Sequence, residues 1–161
     1  MSRRLAAILI ADIAGFSRLM HADEDMTHAR RGAAMTDVIL PSVARHGGRI
    51  VKNTGDGFLA TFDGPARGVR CACSIAEEIK PLGIEIRAGL HTGECEMMGD
   101  DVGGIAVHIG ARVAALAGAS EVLVSSTVKD LVAGSGLRFG SRGSQSLKGI
   151  PGEWHIFVAE G

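Results

Sequence analysis

The chain has 161 residues, 46% of them hydrophobic and 22% charged, with a formal net charge of −1. At this length one domain with a real core is expected, because folding buries roughly 68–70% of the unfolded surface. A balance this close to neutral, with no long basic run, speaks against nucleic acid and against an anionic membrane surface as partners.

Arg3-Arg4 followed by the apolar stretch Leu5 to Ala11 imitates a secretion signal, but the stretch stops at Asp12. It suits a buried strand, and no segment approaches the ~20 apolar residues that span a bilayer. Cys71, Cys73 and Cys95 leave an odd thiol and form no CxxC pair. That usage fits buried thiols in a reducing cytosol. The expectation is a soluble, cytoplasmic protein in which residues 1–161 form one domain.

Leu5 to Asp12 reads as a central strand covered on both faces. A helix is predicted from about Asp23 to His46, with acids in its first turn, a kink at Pro41 and a stop at Gly47-Gly48. Arg49 to Asn53 and Phe58 to Phe62 flank a Gly-Asp-Gly turn and read as a hairpin. From Asp63-Gly64-Pro65 a second helix runs to about Lys80, with Val69, Cys73, Ala76 and Ile79 on one face. Ile84 to Leu90 is a strand, continued in part through Glu94 to Met97. An alanine-rich helix spans Ile105 to Leu116, and a short strand spans Val122 to Val124. Ser125-Ser126 caps a helix from Thr127 to Val132. Leu137 to Gly143 and Glu153 to Val158 close the chain as two strands joined through Lys148 to Gly152. Strands alternating with helices argue for helices packed on a sheet.

Two stretches carry chemistry: Asp12-Ile13-Ala14-Gly15-Phe16-Ser17 and Lys52-Asn53-Thr54-Gly55-Asp56-Gly57. Each sets an acid where an apolar run surfaces, beside glycines that let a ligand approach the backbone. Magnesium takes hard oxygen ligands, usually one or two carboxylates plus substrate phosphates. Gly15 and Phe16 lie three and four residues after Asp12, where free backbone N–H groups can meet phosphate oxygens. There is no GxxxxGK[ST], so the stretch is not a P-loop.

Together with Ile86-Arg87-Ala88-Gly89-Leu90-His91-Thr92-Gly93, Asp101 and Val107-His108-Ile109-Gly110-Ala111-Arg112, these stretches resemble the class III adenylyl and guanylyl cyclases. The match runs from about Arg4 to Val158, and the alanine-rich helix is similar to mycobacterial or rhizobial members. The resemblance implies an α+β fold, a ferredoxin-like βαββαβ core with C-terminal additions, acting as a head-to-tail homodimer with active sites at the interface. It implies that Asp12 and Asp56 hold two Mg²⁺ or Mn²⁺ ions, with the Ile13 carbonyl as a further ligand. Lys52 and Asp101 would read the adenine of ATP, Arg87 and Lys148 would contact phosphates, and Arg112 would stabilise the transition state.

Lys52 only donates and ionised Asp101 only accepts, which matches the N1 acceptor and N6 donor of adenine and opposes guanine. Lys52 also precedes Asp56 by four residues at about 3.3 Å each, with side chains alternating in direction. Metals and base are therefore expected to be served by different chains of a symmetric dimer. His108 stands where the family has an Asn that holds the ribose, and Gly103 where it has a Trp. A helical i, i+4 spacing still lets His108 and Arg112 converge on one ligand. His91 reads as a packing or turn residue, and Trp154 and Met97-Met98 as filler. The competing readings are a guanylyl cyclase, or a regulatory module that holds nucleotide without turning it over.

Overall fold

The structure, a computed structural model, describes residues 2–161. In chain order its elements are β1 (Ser2–Ile13), α1 (Phe16–Ala22), α2 (Glu24–Ala33), a π-helical turn (Ala34–Ile39), and α3 (Leu40–Arg45). The hairpin β2 (Arg49–Asn53) and β3 (Gly57–Phe62) follows, then α4 (Pro65–Glu78) and β4 (Ile86–Met98). The last third holds β5 (Asp101–Gly103), α5 (Ile105–Ala115), β6 (Val122–Ser125), α6 (Ser126–Leu131), β7 (Phe139–Ser146) and β8 (Glu153–Ala159).

The strands form one sheet in the order β2-β3-β1-β4-β6-β8-β7, with β5 paired to β4. The β4-β1-β3-β2 half, with α2–α3 and α4 as crossovers, is the expected ferredoxin-like core, and β5 to β8 are the additions. Central placement of β1 follows from its composition. Ala7, Leu9 and Ala11 face the cluster built with Val69, Ala72 and Ile75 of α4, while Ala6, Ile8 and Ile10 face Ala106 of α5. That is the period of two of a strand buried on both sides. Full burial of a side chain such as Leu9 stabilises by about 1.5–3 kcal/mol. Among the described residues no helix is long and apolar enough to cross a membrane.

The strand β5 was not anticipated, β7 lies a few residues later than expected, and four further elements depart from the sequence reading. The single helix expected over 23–46 is α2, the π turn and α3: Pro41 cannot donate to the Asp37 carbonyl, and just before it Leu40 N–H bonds Met35 in a widened turn. The α1 helix was not anticipated, since none of its residues is buried and no side chain caps it. On α4, Val69 and Ala76 are buried as expected, together with Ile79 just beyond it. Cys73 is only half-buried, and Ala72 and Ile75 fill the stripe beside them. Strand β4 is one continuous element through Met98, because β1 pairs with it over its whole length, from Ile13↔Ile86 to Ser2↔Met97.

The long β1–β4 arm curls over the α5 side of the sheet. Val102 of β5 is buried with Ile8, Leu59 and Ala106, and Val51 packs against the same cluster. The curl lays β5 beside β2.

Candidate active site

Asp12 lies on the Ile8–Ile10 face of β1, directly opposite Arg87 on β4 and Gly57 on β3. Arg87 donates through Nε to Asp12 Oδ1 at 2.9 Å and through Nη2 to Oδ2 at 2.8 Å, a bidentate fork. Both side chains are about one-third exposed. The bond to Asp12 raises the Arg87 pKa against the opposing effect of burial, and the charges of Asp12 and Asp56 add to the rise.

Asp56 reaches the same corner through the backbone: Ile13 N–H donates to the Asp56 carbonyl at 2.8 Å. The approach is possible because residue 57 is glycine. A Cβ there would stand 2.1 Å from the Ala11 carbonyl oxygen and 2.9 Å from Asp12 Cα. Asp12, Ile13 and Asp56 are thus gathered at one sheet end. Two carboxylates and a backbone carbonyl are hard oxygen donors of the kind that a Mg²⁺ or Mn²⁺ ion would complete with phosphates and water.

Immediately after β1, Gly15 takes φ +65 and starts α1 with no side-chain cap. A side chain there would also meet the Arg18 guanidinium, 2.9 Å from the missing Cβ. Gly15 and Phe16 thus lie at the turn that leaves β1, three and four residues after Asp12. Arg31, not singled out in the sequence, lines the cavity beneath Asp12 and Asp56 with Met35. Its one sequence signal is a position in a helix, which carries no information about the hairpin it faces.

Lys52 and Asp101 meet: Lys52 Nζ is 2.9 Å from Asp101 Oδ1, which also accepts the Val102 N–H at 2.7 Å. The lysine, then the Val102 N–H, hold the Asp101 carboxyl below its ordinary pKa. Both side chains are about half exposed, so the pair is open to a ligand.

A third group sits on α5. The His108 ring faces Gly149, with its Cε1 3.5 Å from where a Gly149 Cβ would lie, so it abuts the turn carrying Lys148. Leu147 and Ile150 are buried on either side of that turn and pack with Ile109 and Trp154, whose Nε1 donates to the Pro151 carbonyl at 3.1 Å. Trp154 is thus the filler expected, with a defined partner. The Nε of Arg112 is buried without a partner. An unmet donor of this kind costs about 1–3 kcal/mol unless something satisfies it.

Among the described residues no hydrogen bond or ion pair joins these three groups to one another. His91 is a core residue inside β4, only 5% exposed, with Nδ1 2.7 Å from Ser125 Oγ and its ring edge-on to Trp154. Burial lowers its pKa to about 4. No spacing rule could have paired it with Ser125, which comes from β6.

The profile of the Adenylate and Guanylate cyclase catalytic domain matches residues 2–161. The chain belongs to this class III cyclase family.

The cyclase domain is 35% identical over 165 residues to a Rhizobium meliloti protein named "Putative adenylate cyclase 3", covering 97% of this chain. It spans only 28% of that relative's length. Among solved structures, an adenylate/guanylate cyclase/hydrolase from Silicibacter pomeroyi is 33% identical with a TM-score of 0.91, covering 98% of this chain and 97% of that one. The adenylyl cyclase CyaB from P. aeruginosa is 19% identical with a TM-score of 0.90, over 99% of this chain and 95% of its own. The guanylyl cyclase Cya2, at 22% identity, superposes with a TM-score of 0.84 over 99% of this chain and 93% of its own. Adenylyl and guanylyl cyclases share this fold, so the fold itself does not select the base.

Proposed function

We propose that this cyclase domain converts ATP to 3′,5′-cyclic AMP and pyrophosphate, at two equivalent sites across a homodimer. The observation that carries the choice of ATP is the 2.9 Å contact between Lys52 Nζ and Asp101 Oδ1. Side by side, a pure donor and a pure acceptor present adenine with partners for N1 and N6. Guanine reverses both groups and would leave a charged partner unmet.

Asp12, Asp56 and the Ile13 carbonyl would hold two Mg²⁺ or Mn²⁺ ions. When bound, such ions activate the ribose 3′-hydroxyl and clamp the polyphosphate. The 3′-oxygen forms its bond to the α-phosphorus as the bond to pyrophosphate breaks, and the hydroxyl proton is released. Gly15 and Phe16 would offer backbone N–H groups to the phosphates, and Arg87 and Lys148 would add charge. Arg112 would meet the charge that develops on the α-phosphoryl oxygens, where an always-protonated, planar donor is suited. His108 would orient the ribose from the same helix flank, one turn before Arg112.

Among the described residues of one chain no hydrogen bond or ion pair joins the three groups, which is consistent with a dimer. A site that needs the acids, the base readers and the α5 residues is assembled when a second copy supplies what the first lacks. The deciding experiment incubates purified protein with Mn²⁺ and either ATP or GTP. Cyclic AMP formation, with little cyclic GMP, is the expected result; cyclic GMP as the main product, or no product with either, rejects the proposal.

A further inference from the structure

Arg87 and Asp12 are cross-strand neighbours, so the backbone fixes their spacing and only the side chains can rearrange. The fork at 2.9 and 2.8 Å uses both carboxylate oxygens of Asp12. Those oxygens are what a divalent ion would need. A guanidinium binds carboxylate and phosphate with the same paired geometry, so Arg87 has two anions to choose between once a polyphosphate arrives.

We propose that Arg87 is a resident counter-ion for Asp12, standing in for the metal until metal and polyphosphate are taken up together. This rests on the reading of Asp12 and Asp56 as metal ligands. A metal arriving alone would have to displace Arg87 from the carboxylate and leave a cation beside a cation with no new partner. A metal arriving with a polyphosphate gives the displaced guanidinium phosphate oxygens to bind. The two ligands are then positively coupled through one side chain, and each raises the affinity for the other by the same factor. The charge of Asp56 adds a smaller attraction for the same guanidinium.

The test measures Mn²⁺ binding to the full chain without nucleotide, by the loss of the free-ion paramagnetic resonance signal. Arg87→Gln should bind free Mn²⁺ roughly three- to tenfold more tightly than the unmodified protein, the factor expected for losing a partly exposed competing pair. Adding Asp12→Asn to that variant should remove the gain. Equal or weaker Mn²⁺ binding by Arg87→Gln overturns the inference.

A second measurement needs no folded Arg87→Gln variant. In the ¹⁵N spectrum of the unmodified protein, the Arg87 Nε–H signal should stay in place with Mg²⁺ alone and move with Mg²⁺ plus inorganic pyrophosphate. Movement with Mg²⁺ alone to the same extent overturns the inference. The cyclase assay is independent of both readouts. Cyclic AMP production without the Mn²⁺ gain rejects the counter-ion role and leaves the function standing, whereas the gain without cyclic product does the reverse.

Discussion

Lys52 and Asp101, on strands that share no backbone hydrogen bond, are joined at 2.9 Å because the β4–β5 arm folds back over the sheet. The pair places a donor and an acceptor side by side, and in the proposed function their order would select the purine edge.

Replacing the donor by an acceptor and removing the original acceptor should shift the preference towards GTP. Lys52→Glu combined with Asp101→Gly is expected to lower the ATP-to-GTP ratio of kcat/KM by roughly 10²-fold or more, the penalty for opposing a hydrogen-bonding edge. Steady-state assays with each nucleotide check this, and an unchanged ratio contradicts the base-reading role.

The acids offer a sharper loss. Asp12→Asn and Asp56→Asn should each reduce Mn²⁺-supported turnover by about 10³-fold or more while leaving the fold intact, because they remove charge without volume. Chelation with EDTA should silence the unmodified protein, and added Mn²⁺ should restore it. Full activity in either variant is incompatible with that acid as a ligand.

Gly57 ties stability to the site. Gly57→Ala drives a methyl group into the Ala11 carbonyl, 2.1 Å away, so the hairpin must shift from β1. A cost of about 1–3 kcal/mol is expected in urea unfolding, the range for overpacking. Activity should fall further than stability, since the shift moves Asp56 relative to Asp12.

Acid should find His91. Burial sets its folded pKa at about 4, below the ordinary value of 6.5, so protons bind the unfolded chain more readily. The stabilising contribution is therefore complete above pH 6.5 and is lost as the pH falls towards 4. It amounts to roughly 3 kcal/mol at most. Unfolding measured against pH should show a shallower acid decline in His91→Asn, which keeps a donor and acceptor for Ser125 but does not titrate. Identical slopes in the two proteins would exclude His91 as the source.

Much of the core was legible because burial on both faces forces continuous apolar runs: Leu5 to Ala11 is such a run, and it is the central strand. The hairpin around Asp56 was equally legible, as glycines mark where two backbones must come close. The split at Pro41 was only partly so. A proline predicts a disturbed helix, but whether the chain kinks or widens into a π turn depends on what packs against it. The α1 helix and the partnership of His91 with Ser125 left no local pattern at all.

By itself the sequence determined the family, the core topology and the positions of the acids, because strand periodicity, glycine turns and motif order are local properties of the chain. The tertiary structure alone decided that Arg87 grips Asp12, that Lys52 finds Asp101, and that His108 faces the Lys148 turn. Those contacts depend on register and on the curl of a long strand pair. Both are set by how side chains from distant segments pack together, which no local pattern encodes.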